Sequence, residues 1–394
     1  MWQAEALIDL DAVAQNVTYL RGLSAADIMA VVKADGYGHG AVPVARAALA
    51  GGATWLGVTS LDEAYALRDA GIREPVLAWS VSPGTPTADA VRREIDLSVG
   101  GTTQLSEVVA GAREAGRPAR VHLRVDLDDV GARRGSPGGP DPAVADGSPD
   151  GWSDLVVAAA KAQADGTVDI VGAWGDLDCG ATPGHPDVDR RLAAFRDALT
   201  GAERAGLRPR LRHVASSAGL LTRPDTHFDL VRAGIGCYGY SPVAEPSTRA
   251  GLRPAMTLRA RVLLVKRVSA GQGVSYGLTY TTSRPATLAV VPVGYADGVP
   301  RGASGIGPLL LGGARRTVAG RVCMDQFVVD VGDDPVAEGD MAVLFGPGSQ
   351  GEPTADDWAS VLSTTSYEIV SRIGPRVRRR HVGAAAVPTA GVAG

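Results

Sequence analysis

Between residues 28 and 235, short runs rich in β-branched side chains alternate with stretches whose apolar positions recur at helical spacing. The runs Ile28–Lys33, Thr54–Val58, Val76–Ser80, Ile95–Val99, Ala119–Asp126, Val168–Trp174, Arg210–Val214 and Phe228–Arg232 read as strands. Helices are expected over Ala41–Ala50, Ser60–Ala70, Thr103–Ala115, Ser153–Ala164 and Val188–Ala205. Ser60 and Ser153 stand as N-caps, and Gly71, Gly116 and Gly206 as stop signals. Strands separated by helices need crossover connections and so form a parallel sheet. Eight repeats over about 200 residues suit a closed (β/α)8 barrel, with a doubly wound open sheet as the rival.

After Tyr240 the pattern changes. Leu258–Val268, Ala286–Val293, Arg316–Val322, Gln326–Val331 and Met341–Phe345 read as strands separated by Gly, Pro and Asp turns, with short helices near Asp356–Leu362 and Tyr367–Arg372. Trp2–Leu10 also reads as a strand, ahead of a helix opened by Asp11, and its partner would be the C-terminal sheet. Residues 135–151 look like a loop insertion and the last dozen like a frayed tail. The expected architecture is α/β: an N-terminal (β/α)8 barrel over residues 11–240, then a C-terminal mostly-β domain over 241–382 that includes strand 1–10.

Composition narrows the function. The 394 residues carry 39 Lys+Arg against 43 Asp+Glu, a net charge of −4, with no basic face apart from the short run Arg376–Arg380, so no nucleic-acid partner is expected. Cys179, Cys237 and Cys323 lie far apart, without the spacing of a disulfide framework or a zinc site. Met1–Asp11 lacks a basic leader, and no run approaches the roughly 20 apolar residues of a membrane span. The expectation is a soluble, cytoplasmic protein that does not engage membranes.

In a barrel, chemistry collects at the C-terminal ends of the strands. Those ends hold Lys33, Trp79, Arg124, Asp126, Asp176, Ser216, Ser217, Arg232 and Gly234. A lysine closing an apolar strand carries its ammonium toward a dry mouth, where desolvation favours the neutral, nucleophilic amine that a Schiff base requires. The alternative is a structural ion pair with Asp35. Arg232-Ala-Gly234-Ile235-Gly236 follows the eighth strand, where barrels often bind phosphate through exposed backbone N–H groups, and Ser216 and Ser217 could donate to the same anion; a plain tight turn is the alternative. An amine at one end of a pocket and a phosphate cradle at the other is the layout pyridoxal phosphate needs. His39, His185 and His213 show no metal-ligand spacing, and no metal is expected.

The motif Ala30-Val-Val-Lys33-Ala-Asp-Gly-Tyr37-Gly-His-Gly resembles the cofactor-lysine motif of the alanine racemase family. The resemblance extends through Val231-Arg232-Ala-Gly-Ile-Gly-Cys-Tyr-Gly239, Val274-Ser-Tyr276-Gly, Val293-Gly-Tyr295-Ala-Asp-Gly, Gly320-Arg-Val-Cys-Met324-Asp325-Gln and Tyr367-Glu-Ile-Val-Ser-Arg, in the family's order. It implies a barrel plus a C-terminal β domain, a homodimer with shared active sites, and pyridoxal 5'-phosphate held on Lys33. It also implies a two-base racemisation in which Lys33 works on one face and the partner's Tyr276 on the other. Withdrawing a proton from one side and returning it from the other inverts the stereocentre. Tyr37, Ser217, Gly234, Ile235 and Tyr367 match phosphate-binding positions. Arg232 matches the arginine facing the pyridine nitrogen, and because a guanidinium cannot take up that proton the ring stays neutral. Arg133 matches the arginine beside the cofactor's phenolic oxygen. Met324 matches a donor to the substrate carboxylate from the other subunit, and Tyr295 a tyrosine narrowing the entrance.

The departures from the family pattern cluster. Arg124 replaces a lysine that is often carbamylated in the family, in a segment two residues longer, where Asp128 or Asp129 could balance Arg124 and Arg133. Asp176 replaces a histidine that links the catalytic tyrosine to the pyridine-facing arginine; a carboxylate there would pair with Arg232 and, if near Tyr276, raise the phenol. Ser216 replaces an asparagine, and Ala181-Thr182 an acidic pair. All lie at the tips of strands 5, 6 and 7, while the anchors on strands 1 and 8 are kept. Three readings follow: an alanine racemase; a related enzyme acting on another amino acid or diverting the carbanion; and a cofactor-binding homologue with little catalysis.

Overall fold

The computed structural model describes residues 3–127, 151–177, 182 and 184–384. The loop expected at 135–151 lies almost wholly outside the described residues, as does most of the terminal tail. So do Arg133, Asp128, Asp129 and Ala181.

Strand β1 (Ala4–Asp9) is followed by eight barrel strands: β2 (Asp27–Val31), β3 (Trp55–Val58), β4 (Val76–Ala78), β5 (Ile95–Val99), β6 (Ala119–Arg124), β7 (Val168–Trp174), β8 (Leu211–His213) and β9 (Leu230–Ala233). They pair in parallel in the order β8-β7-β6-β5-β4-β3-β2-β9. The two ends of this order then meet. Arg232 N–H donates to Ala215 C=O at 3.0 Å, Asp229 N–H to Arg212 C=O at 3.1 Å, and Ser216 bridges Arg232 in parallel. That closure excludes the open sheet. Burial on two faces explains why β3 and β4 read as unbroken apolar runs; β5 is buried at every position as well but carries Asp96 and Ser98.

Helices run over Leu10–Gly22, Ala41–Ala50, Leu61–Asp69, Ala88–Arg92, Thr102–Ala115, Trp152–Ala164, Pro186–Arg204 and Ser217–Thr222. Ser60 caps Leu61–Asp69 in a reciprocal capping box with Glu63, as its spacing implies. Two expected caps are displaced. Gly151, not Ser153, precedes Trp152–Ala164, and Asp9, not Asp11, accepts from the first turn of Leu10–Gly22. At the first of these helices β1 runs straight into the helix, so the cap falls on the last strand residue, Asp9.

The C-terminal part holds β10 (Met256–Arg261), β11 (Leu264–Val268), β12 (Gly273–Val274), β13 (Tyr280–Thr281), β14 (Ala286–Val291), β15 (Pro308–Leu311), β16 (Ala314–Ala319), β17 (Phe327–Gly332), β18 (Met341–Phe345) and β19 (Arg378–Val382). Nine strands form one sheet in the order β11-β14-β17-β16-β15-β18-β10-β1-β19. The single run expected over Leu258–Val268 is two strands, β10 near one edge and β11 at the other. β1 lies in this sheet, antiparallel to β10 and parallel to β19. Helices Ala355–Leu362 and Ser366–Ser371 return the chain toward the barrel.

Candidate active site

Lys33 does not end the strand. β2 stops at Val31, and Lys33 opens a turn in which Ala34, Asp35 and Gly36 take left-handed backbone angles (φ +52°, +52° and +60°), with Tyr37 at +50°. A left-handed residue other than glycine costs about 1–2 kcal/mol, so the turn exists only because its surroundings hold it. The Glu63 carboxylate accepts from Ala34 N–H at 2.6 Å and, through its other oxygen, from Thr59 N–H at 2.8 Å. Asp35 accepts from Ala41 N–H at 2.8 Å. Asp35 therefore serves the backbone and not an ion pair with Lys33. The C-terminal part clamps the same turn: Arg379 Nε donates to Gly38 C=O at 3.1 Å, and His381 Nε2 lies 2.8 Å from His39 C=O. His39 is buried, its Nδ1 is 2.9 Å from Tyr37 C=O, and burial lowers its imidazole to about 4, so it is a neutral brace.

Lys33 is half-buried, with Nζ 5.9 Å from the centre of the Trp79 ring. The phosphate-type positions gather across the mouth. Ser217 Oγ accepts from Gly234 N–H at 2.9 Å and Gly236 N–H at 3.3 Å, which fixes the glycine turn and leaves the hydroxyl proton to donate elsewhere. A β-carbon on Gly234 would lie 2.7 Å from Tyr37 Oη, so only glycine leaves room for that hydroxyl. Tyr367, from the C-terminal part, meets Tyr37 edge-on at 5.9 Å. Burial raises both phenols, Tyr367 to about 12, so both stay protonated donors. Among the described residues neither Tyr37 Oη nor Tyr367 Oη nor the Ile235 N–H has a hydrogen-bond partner. Orphaned donors converging beside a helical turn suit a multiply charged anion.

Arg232 is buried and almost fully committed. One terminal nitrogen donates to His213 C=O at 2.8 Å and approaches His213 Nδ1 at 3.3 Å. The other donates to Gly175 C=O at 3.0 Å and to the Asp176 carboxylate at 2.6 Å. The expected Asp176–Arg232 pair is thus present. Burial pulls the guanidinium down while Asp176 pushes it up. Only the Nε–H has no partner among the described residues, which leaves Arg232 one directional donor to offer a ring nitrogen. Trp174 carries both Arg232 and Arg124 on its ring, at 5.1 and 5.2 Å. Ser216 Oγ caps the helix Ser217–Thr222 by accepting from Ala218 N–H at 3.3 Å.

Tyr276, Tyr295 and Met324 form a second group on the C-terminal part. Ser275 Oγ donates to Arg321 C=O at 2.8 Å, Tyr295 N–H to Cys323 C=O at 3.0 Å and Ala296 N–H to Met324 C=O at 3.0 Å, which knits the three loops into one unit. This group is open to solvent: Tyr276 is 74%, Met324 52% and Tyr295 43% exposed. It shares no hydrogen bond or ring contact with Lys33 or the phosphate positions among the described residues.

Amine, phosphate donors and a committed arginine fit pyridoxal phosphate on this chain's own geometry. Sequence reasoning missed Glu63 as a support of the lysine turn, although the Ser60/Glu63 capping box was legible. It also left the buried Asp96, His122 and His213 without a role. Among the described residues no cluster could hold a metal, and no helix is long and apolar enough to cross a membrane.

Comparison with known proteins bears on the same residues. Residues 8–242 match the model of the alanine racemase N-terminal domain, and residues 255–381 that of its C-terminal domain. The chain belongs to the alanine racemase family. It is 59% identical over 384 residues to the alanine racemase of Salinispora arenicola, covering 97% of this chain and 99% of the relative, and 53% identical over 382 residues to that of Thermobifida fusca, covering 97% and 98%. The crystal structure of alanine racemase from D-cycloserine-producing Streptomyces lavendulae superposes with a TM-score of 0.89 at 49% identity, covering 97% of this chain and 98% of that one. The enzyme is a pyridoxal-phosphate-dependent isomerase of this family.

Proposed function

We propose that this racemase interconverts L- and D-alanine in a homodimer whose two active sites are each built from both subunits. The observation that carries the reading is the split of the site. The anchors Lys33, Tyr37, Ser217, Arg232, Gly234, Ile235 and Tyr367, buried or half-buried, lie at one barrel mouth, while Tyr276, Tyr295 and Met324 stand exposed on the C-terminal part of the same chain. A second copy would cover the exposed group and complete the first. The proposed division places the barrel in residues 11–240 and the β domain in 241–382 with strand 1–10.

Bound pyridoxal phosphate supplies the electron sink that acidifies the substrate α-hydrogen. Lys33 Nζ holds the group through its amine and then takes or returns a proton on one face. Tyr276 Oη of the partner subunit does so on the opposite face. Tyr37, Tyr367, Ser217 and the Gly234–Ile235 backbone would hold the phosphate. Arg232 offers a hydrogen bond but no base, which restrains side reactions. The partner's Met324 main chain and this chain's own Arg133, which lies outside the described residues, would receive the substrate carboxylate, and Tyr295 would narrow the entrance. Asp176, tied to Arg232 at 2.6 Å, is directed to a cation and not left as a bare charge for Tyr276, which favours retained racemisation over a diverted carbanion. The proposed location is cytoplasmic, checked by cell fractionation.

The test mixes two inactive proteins. Lys33→Ala and Tyr276→Phe homodimers, dissociated and reassociated together, regain roughly a quarter of wild-type alanine racemisation if sites are shared, because each mixed dimer holds one intact pair. No recovery, with mixed dimers shown to form, sinks the shared site.

A further inference from the structure

The barrel core contains a chain of polar groups that the proposed chemistry does not use. Near the N-terminal ends of their strands, Arg120 and Asp96 form a two-pronged pair, with Nε 2.7 Å from one carboxylate oxygen and the terminal nitrogen 3.1 Å from the other. His122 Nε2 lies 3.2 Å from Asp96, His122 Nδ1 lies 2.9 Å from His213 Nε2, and His213 Nδ1 lies 3.3 Å from Arg232 at the rim. Asp96, His122 and His213 are fully buried. The ends of this chain decide its middle. Arg232 can only donate, so His213 Nδ1 carries no hydrogen and its Nε2 does. His122 must then accept at Nδ1 and donate from Nε2, and the Asp96 carboxylate can only accept. Every hydrogen points from the rim toward Asp96.

We propose that Asp96 and His122 are positioning residues which lock the tautomer of His213 and thereby hold the Arg232 guanidinium in register with the cofactor ring. The inference rests on the proposed placing of Arg232 against that ring. The packing is shaped for the relay. A β-carbon on Gly172 would collide with His122 Nδ1, the Trp55 ring meets His122 edge-on at 5.4 Å, and the Trp174 ring lies nearly parallel to His213 at 13° and 6.3 Å. Trp174 is itself fixed by its Nε1–H on Ser98 Oγ at 2.9 Å. Burial first, then the neighbouring His122 and Arg232, push His213 well below the usual range, in keeping with a neutral ring. Two neutral imidazoles in a dry barrel cost least when each N–H has an acceptor and each bare nitrogen a donor, as here.

The chain has six histidines, so nitrogen-15 histidine labelling can assign each ring. In cofactor-free wild-type protein, His122 and His213 should both be neutral with the hydrogen on Nε2. A hydrogen on His213 Nδ1 overturns the relay even if no variant folds. In His122→Phe, which fills the space but cuts the chain, and in Asp96→Asn, His213 should become a tautomer mixture. With pyridoxal phosphate loaded, the visible absorption band should shift, and kcat should fall about tenfold with KM within about twofold. Unchanged His213 tautomer and kcat in both variants reduces the chain to packing. Loss of colour on Lys33→Ala tests the functional reading separately, since the tautomer is read without cofactor.

Discussion

The two halves of the site are built on opposite plans. At the barrel mouth each functional group is pre-set by bonds within one chain: Glu63 and Asp35 hold the left-handed lysine turn, Ser217 fixes the glycine turn, and Arg232 is committed on four sides. On the C-terminal part the loops carrying Tyr276, Tyr295 and Met324 are tied to one another, yet their side chains stand in solvent. A cofactor anchor must be rigid before anything binds, because the cost of ordering it would otherwise come off the affinity. A base that belongs to a neighbour's pocket needs a rigid loop but an uncovered tip.

The largest effects should separate these halves cleanly. Lys33→Ala should abolish both the bound-cofactor absorbance and racemisation. Tyr276→Phe should keep the absorbance and lower racemisation about 10²–10⁴-fold, with solvent deuterium still entering from the Lys33 face for one enantiomer. Equal loss of colour in both variants would erase the distinction.

Acid should strike the barrel half first. His39 in the folded protein titrates near 4, below the roughly 6.5 of an unfolded histidine. Between these values the unfolded chain binds more protons, so stability falls as pH drops from about 6.5 to about 4, by on the order of 3 kcal/mol from this group. Urea unfolding of the cofactor-free protein at stepped pH measures the slope, which should flatten in His39→Gln.

Glu63→Gln keeps the shape but puts an amide against backbone N–H donors, and should cost about 2 kcal/mol in urea unfolding together with weaker cofactor retention. The smallest effect concerns Gly234→Ala. Its methyl would press on Tyr37 Oη, and the dissociation constant for pyridoxal phosphate should rise about tenfold, roughly 1.4 kcal/mol, with the fold intact by circular dichroism.

Much of this was legible in the chain. The eight alternating strands, the change of texture after Tyr240 and the N-terminal strand β1 follow from periodicity, because burial on both faces or one leaves a direct mark on residue order. The split of Leu258–Val268 into β10 and β11 was not, since an apolar run does not say where it turns a corner. Nor was the real start of the lysine turn, because the left-handed angles of Ala34, Asp35 and Tyr37 contradict local preference and persist only through contacts from Glu63, Arg379 and His381.

Residue order alone determined which chemistry is present: a lysine beyond an apolar strand, a glycine turn after the eighth, and a tyrosine and methionine in the β part. Tertiary structure decided which groups are spent and which remain free to act. Asp35 went to the backbone, all four ring nitrogens of two buried imidazoles met a polar neighbour, and the Arg232 guanidinium kept a single donor. Those outcomes depend on competition among polar groups brought together from distant strands in a dry interior, where each hydrogen bond made by one excludes another, and no spacing along the chain encodes that competition.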